Sequence, residues 1–160
     1  MHRELLDACL SLQRKSSGYW MNKEGSTHSF IQKKKELIVD SEKLLKKGKL
    51  IQVRPHTRFV NFPKHKHNYV EVIYMCQGTT THILNGSKVI LEAGDLLFLN
   101  QNAEQEILPA GEQDIAVNFI VLPQFFDEAF NMAGMDNVLS RFLLGNCTPE
   151  GLPSAICIFG

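Results

Sequence analysis

From residue 50 to residue 122 the chain breaks into short apolar or alternating runs, each stopped by a turn signal. Such punctuation leaves room for strands and none for helices. Eight segments carry the pattern: 50–54, 58–62, 69–77, 79–84, 88–91, 95–99, 104–108 and 115–122. Asn85-Gly86, set between Ile83-Leu84 and Val89-Ile90, is the strongest hairpin signal in the chain. A two-residue type I′ turn needs positive φ at both positions, which Asn and Gly tolerate. Ala93-Gly94-Asp95 and Ala110-Gly111-Glu112 mark two further turns. Eight short strands at close spacing predict a sandwich or a barrel.

Helical periodicity flanks this block on both sides. Residues 3–14 place Leu5, Leu6, Cys9, Leu10 and Leu12 on one broad face. A second pattern over 30–47 has Phe30, Leu37, Leu44 and Leu45 as its stripe and Gly48 as a C-cap, with Val39-Asp40-Ser41 as a point where it breaks in two. After Pro123 two helices are expected, over 125–133 and 136–144, and the chain closes on the apolar run 155–159 with no polar tail. That ending reads as cut rather than finished. The expected organisation is a helical extension (1–48), a barrel (49–122), and C-terminal helices with a final strand-like segment (123–160).

Length and composition allow one domain with a real core. Apolar residues make up 44% of the chain and charged residues 21%, and no run approaches a membrane span or a secretory h-region. Cys9, Cys76, Cys147 and Cys157 form no C-x-x-C pair, so reduced cysteines in a cytoplasmic protein are expected. The zero net charge hides an asymmetry. Residues 1–68 hold 15 Lys+Arg against 6 Asp+Glu, and residues 69–160 hold 2 against 11. Mutual docking of the two halves is favoured over nucleic-acid contact by Lys33–Lys35 or Lys46–Lys49.

The chemistry-bearing motif is His65-Lys66-His67, followed by Glu71 and Gly78. On one strand, side chains at even spacing share a face, which would put both imidazoles, the carboxylate, Tyr69, Ile73 and Met75 on one inner wall. His56 and His82 lack partners at useful spacing and read as surface or edge residues. The spacing H-x-H-x3-E-x6-G resembles the first motif of the cupins, double-sheet jelly rolls whose mouth holds a metal or a small ligand. In metal-dependent cupins the second motif supplies a fourth ligand, a histidine. Counted from Gly94, that position is Gln105, and Asn100 stands where a proline is usual. The resemblance thus implies a mainly β cupin-type jelly roll that kept its pocket and holds no metal or other cofactor. Gln105 as a weak fourth ligand is the minority reading, since an amide is a poor ligand for a transition metal.

Residues 56–122 also resemble the N-terminal sensory domain of AraC-family bacterial transcription regulators. The phrases are Arg58-Phe59-Val60, His65 to Glu71, Gln77-Gly78, Leu84-Asn85-Gly86 and Leu91 to Leu99, in family order. The resemblance implies a cytoplasmic ligand-sensing and dimerisation domain, with a sugar, polyol or small acid as effector. DNA would be bound through a C-terminal helix-turn-helix half that this chain lacks. The expected helix pair after Pro123 offers Arg141 as its sole base, which does not make a recognition helix. The ligand-binding candidates are His65, His67, Tyr69, Glu71, Ile73 and Gln105. A structural network that satisfies its own buried polar groups is the other reading of the His65, His67 and Glu71 cluster. No catalytic residue is assigned, because the chain has no G-x-S-x-G elbow and no glycine-rich phosphate cradle. The rival is a small stand-alone cupin enzyme, a metal-dependent oxygenase or isomerase.

Overall fold

The computed structural model describes residues 31–33, 36–126 and 156–159. The chain is mainly β and its strands form two sheets. In chain order they are β1 (Ile31–Lys33), β2 (Glu36–Val39), β3 (Ile51–Pro55), β4 (Phe62–His67), β5 (Val70–Gln77), β6 (Thr79–Leu84), β7 (Ser87–Glu92), β8 (Leu96–Leu99), β9 (Gln105–Ile107), β10 (Ile115–Val121) and β11 (Ile156–Phe159). One sheet runs β1-β2-β4-β9-β6-β7 and the other β11-β8-β5-β10-β3. β2 runs parallel to β4, whereas the other pairings are antiparallel.

Local chemistry sets the turns. Asn85 and Gly86 take φ of 48° and 85° and close the β6–β7 hairpin, with Leu84 opposite Ser87. Gly78, at φ 74°, ends β5 where a Cβ would overlap the Asp114 carboxylate and the Gln113 carbonyl. Glycine is needed there on both counts. Asp114 then fastens the corner, accepting from Thr79 N at 2.8 Å and from Gly111 N at 2.7 Å.

The inward residues of both sheets meet in a fully buried apolar cluster of Ile73, Met75, Leu84, Leu91, Leu97, Leu99, Ala103 and Ala116. Val39, Tyr69 and Ile120 make a second buried group, with Leu44, Leu45, Phe62 and Leu122 packed on it.

Two expectations are corrected. Within 30–47 the described residues are strands β1 and β2 and a 3-10 turn at Ser41–Lys43, not a helix. Tertiary pairing overrides the helical stripe: Ile38 and Val39 pair with Lys66 and His67, and Val39 is buried. The break does fall at Asp40, whose carboxylate accepts from Glu42 N and from Asn68 Nδ2. The six-stranded sheet thus extends N-terminal of residue 49. The segment 58–62 is mostly loop, with β4 starting at Phe62, because Phe59 takes φ 67° and leaves the extended region. The expected helices 3–14 and 136–144 lie outside the described residues. Of 125–133, Phe125 and Phe126 are described, and both are helical.

Candidate functional site

His65, His67 and Glu71 come together, but not by the alternation of one strand. The histidines end β4 in the six-stranded sheet, while Glu71 is near the start of β5 in the five-stranded sheet. The chain crosses between the sheets at Asn68-Tyr69, and the Asn68 side chain fixes the crossing: its Oδ1 accepts from Ser41 N at 2.8 Å. The cluster therefore straddles the inter-sheet space, with His67 Nε2 3.4 Å from Glu71 Oε2. β4 carries an irregularity between Phe62 and His65, at Pro63-Lys64. Proline is confined to such places in a sheet, and a bulge re-aims the residues beside it.

Residues from distant elements complete the group. Asn118 on β10 donates from Nδ2 to Glu71 Oε1 at 2.7 Å, and its Oδ1 lies 2.8 Å from His56 Nδ1. The His56 and His82 rings are 5.2 Å apart, and Thr80 Oγ1 lies 3.0 Å from His82 Nε2. Both histidines are buried, which corrects the surface or edge reading. Gln105 faces His65 across the β4–β9 pairing and is fully buried. The four histidines and Glu71 form one polar cluster on the inner faces of both sheets.

Burial sets the charge states. It pushes the His56 and His65 imidazoles down to about 4 and holds His67 and His82 well below the usual histidine range. It raises the Glu71 carboxyl to about 7, against the pull of the Asn118 amide. The Tyr69 phenol is likewise driven well above its ordinary value. The contact of His67 with Glu71 is then a neutral imidazole against a carboxyl that titrates near neutrality, not a fixed ion pair.

A cavity of about 70 Å³ opens beside the cluster. That is room for about five water positions at one probe sphere each. His65, His67, Tyr69, Glu71 and Asn118 contribute to its wall, as do Arg54, Pro55 and Thr57 from β3 and the loop after it. Val39, Leu44, Phe62, Ile107 and Ile120 add apolar surface. Of the six sequence candidates, four line this cavity. Ile73 does not, because it packs in the apolar cluster, and Gln105 lies outside the lining while remaining next to His65. Asn118, His56, His82 and Arg54 were missed. A signal existed for two of them: Asn118 interrupts the apolar strand Ile115–Val121, and His82 shares inward parity with Thr80 and Leu84.

The residues do not fit the metal that the cupin resemblance raises. Among the described residues no group of three or more His, Cys, Asp or Glu is placed to hold an ion. Gln105 offers an amide at the remaining position. No step is derived through a metal. No helix of the described residues is long and apolar enough to cross a membrane.

A sequence profile of AraC-like ligand binding domains matches residues 49–130. Solved structures similar to this chain include a cupin protein from Bacteroides fragilis, at 22% identity and TM-score 0.37, covering 45% of this chain and 63% of that one. A predicted oxalate decarboxylase from Thermotoga maritima is similar at 24% identity and TM-score 0.38, covering 45% and 64%. Wild-type ToxT from Vibrio cholerae, with an unsaturated fatty acid bound, is similar at 12% identity and TM-score 0.46, covering 69% of this chain and 40% of that one. The chain thus spans less than two thirds of each of these proteins. No curated protein matches it.

Proposed function

We propose a sensory role for this chain, which belongs to the family of AraC-like ligand binding domains. In this reading a small molecule enters the cavity beside Glu71. His65, His67 and Tyr69 orient it, and its binding shifts the population of a cytoplasmic homodimeric regulator between two arrangements. A helix-turn-helix half outside this chain would bind DNA, so the effector would act on transcription without touching DNA itself.

The observation that supports this reading most directly is the overlap of the family match with the pocket. Residues 49–130 contain the lining residues from Arg54 to Ile120, while Val39 and Leu44 come from the segment before. The chain is accordingly read as a binding module and not as an enzyme. The test is DNA affinity of the full-length regulator with and without a ligand shown by calorimetry to saturate this chain. A change of about tenfold, or about 1.4 kcal/mol of coupling, is the expected scale. Unchanged DNA affinity at saturation overturns the role. One tightly held transition metal per purified chain, with turnover of a substrate, would instead establish the enzymatic alternative.

A further inference from the structure

The cavity beside Glu71 has two opposite charges in its wall. Among the described residues that line it, Arg54 is the only permanent cation and Glu71 the only carboxyl group. Burial keeps the His65 and His67 imidazoles neutral near pH 7, so neither supplies a countercharge. Arg54 pairs with Asn118 across β3 and β10 and so shares its inner face, with β10 between it and Glu71 on β5. Both charges are felt at the Tyr69 phenol, which lines the same cavity. Burial drives that phenol up, the Glu71 carboxylate adds to the rise, and the Arg54 guanidinium opposes it.

Glu71 is also short of a donor. Its Oε1 accepts from Asn118 Nδ2 at 2.7 Å, but Oε2 is one of six buried side-chain atoms of the described residues that are orphaned, without a hydrogen-bond partner. His67 Nε2 lies 3.4 Å from this oxygen and makes no hydrogen bond to it. An ionised carboxylate can only accept, so a ligand that brings a donor to Oε2 is favoured. A positively charged donor does most, because charge-assisted hydrogen bonds are roughly twice as strong as neutral ones. Arg54 offers the complementary match, since a guanidinium fork fits a carboxylate with two parallel hydrogen bonds.

We infer that the cavity binds a small amino acid as its zwitterion, with the ammonium on Glu71 Oε2 and the carboxylate on Arg54. This deepens the sensory reading and rests on it. A bare carboxylate would gain Arg54 and face Glu71, and a bare amine would do the reverse. An uncharged ligand would gain neither charge. Room for about five water positions limits the ligand to roughly five to eight non-hydrogen atoms. Val39, Phe62 and Ile120 offer apolar surface to its carbon chain.

The test is calorimetry on this chain with glycine, alanine, β-alanine and 4-aminobutyrate. Each is set beside the carboxylate that lacks its ammonium (acetate, propionate, butyrate) and the amine that lacks its carboxylate (methylamine, ethylamine, propylamine). At least one amino acid should bind saturably, roughly tenfold or more tighter than both counterparts. Two variants read the two ends separately. Glu71→Gln should cut the preference over the carboxylate by roughly tenfold, and Arg54→Gln the preference over the amine by a similar factor. Each ratio compares two ligands on one folded variant, so a loss of stability alone moves neither. Tighter binding of either counterpart, ratios unmoved in both variants, or no saturable binding across the panel overturns the inference and leaves the sensory reading standing. Amino-acid binding that leaves DNA affinity of the full-length regulator unchanged does the reverse.

Discussion

The interior of this protein has two parts built to different rules. In one, Ile73, Met75, Leu84, Leu91, Leu97, Leu99, Ala103 and Ala116 exclude water and leave no polar side-chain atom of their own to satisfy. In the other, His56, His65, His67, His82, Glu71 and Gln105 are nearly as buried, yet all six orphaned side-chain atoms of the described residues are theirs. The apolar part gains stability from every atom it hides. The polar part loses some with every unpartnered group. A fold whose purpose was stability alone would fill the second part as it fills the first. The contrast supports the proposal that the polar part is the ligand site.

Acid should separate the two parts most sharply. His56 and His65 titrate at about 4 in the folded chain against 6.5 ordinarily. As pH falls from 6.5 toward 4, the unfolded chain takes up these protons first, and stability is lost across that window. Each group contributes up to about 3 kcal/mol at 1.4 kcal/mol per unit, and His67 and His82 act in the same direction. Glu71 has the opposite sign. Its folded pKa of about 7 lies above 4.5, so its contribution is present below pH 4.5 and is lost as pH rises through 7. The histidines outnumber it. Urea melts at descending pH should show a net loss of several kcal/mol, with a shallower slope in His56→Gln. A profile flat to pH 4 would mean that the imidazoles are not sealed and neutral.

Leu97→Ala probes the other part. Leu97 is fully buried on β8, opposite Ile73 on β5. Truncation should cost about 2–5 kcal/mol. The pH slope, and ligand affinity of the folded fraction, should stay as in the wild type. Coupled changes in slope or affinity would show that the two parts do not act independently.

The apolar part was also the more legible from sequence. Period-two alternation and turn chemistry mark strands directly, and every barrel segment but 58–62 lies on its strand to within about two residues, the ordinary uncertainty of a boundary. The polar part resisted because its contacts join residues far apart: His56 meets Asn118 across 62 positions and Asn118 meets Glu71 across 47. No local pattern encodes such pairs. The H-x-H-x3-E spacing did lead to the right neighbourhood, although through a reason that fails, since β4 and β5 belong to different sheets. The reading of 30–47 as helix failed for a related cause. Leu37, Leu44 and Leu45 fit a 3.6-residue stripe, but the pairing of Ile38 and Val39 with β4 is a tertiary fact.

Glu71→Gln tests which rule governs the polar part. If the carboxyl is there for a ligand, the variant should melt within about 1 kcal/mol of the wild type at pH 7 and gain relative to it at pH 8, where the buried wild-type carboxyl must ionise. Binding of the preferred ligand should fall. A loss of about 1–3 kcal/mol at every pH would mark a structural hydrogen-bond network instead.

The smallest expected effect concerns the loop between His56 and β4. Phe59, in the loop between His56 and β4, is 57% exposed and carries φ 67°. Among the described residues the other non-glycine position with positive φ is Asn85, which suits its hairpin; Phe59 has no such excuse of side-chain chemistry. Arg58 stacks over its ring at 4.9 Å and donates to Glu112 O at 2.8 Å, while Phe59 N donates to Ala110 O at 2.9 Å. These contacts hold the strained turn against the β9–β10 connection. Phe59→Asn should relieve about 1–2 kcal/mol of left-handed strain and forfeit roughly 0.5 kcal/mol of cation–π contact. The net gain, about 0.5–1.5 kcal/mol, is readable as a small rise in urea midpoint. A gain with ligand affinity unchanged would confine this strain to the scaffold. A gain with weakened binding would place it with the orphaned polar atoms, as stability given up where the protein recognises something else. A loss would show that the ring, not the backbone, decides this turn.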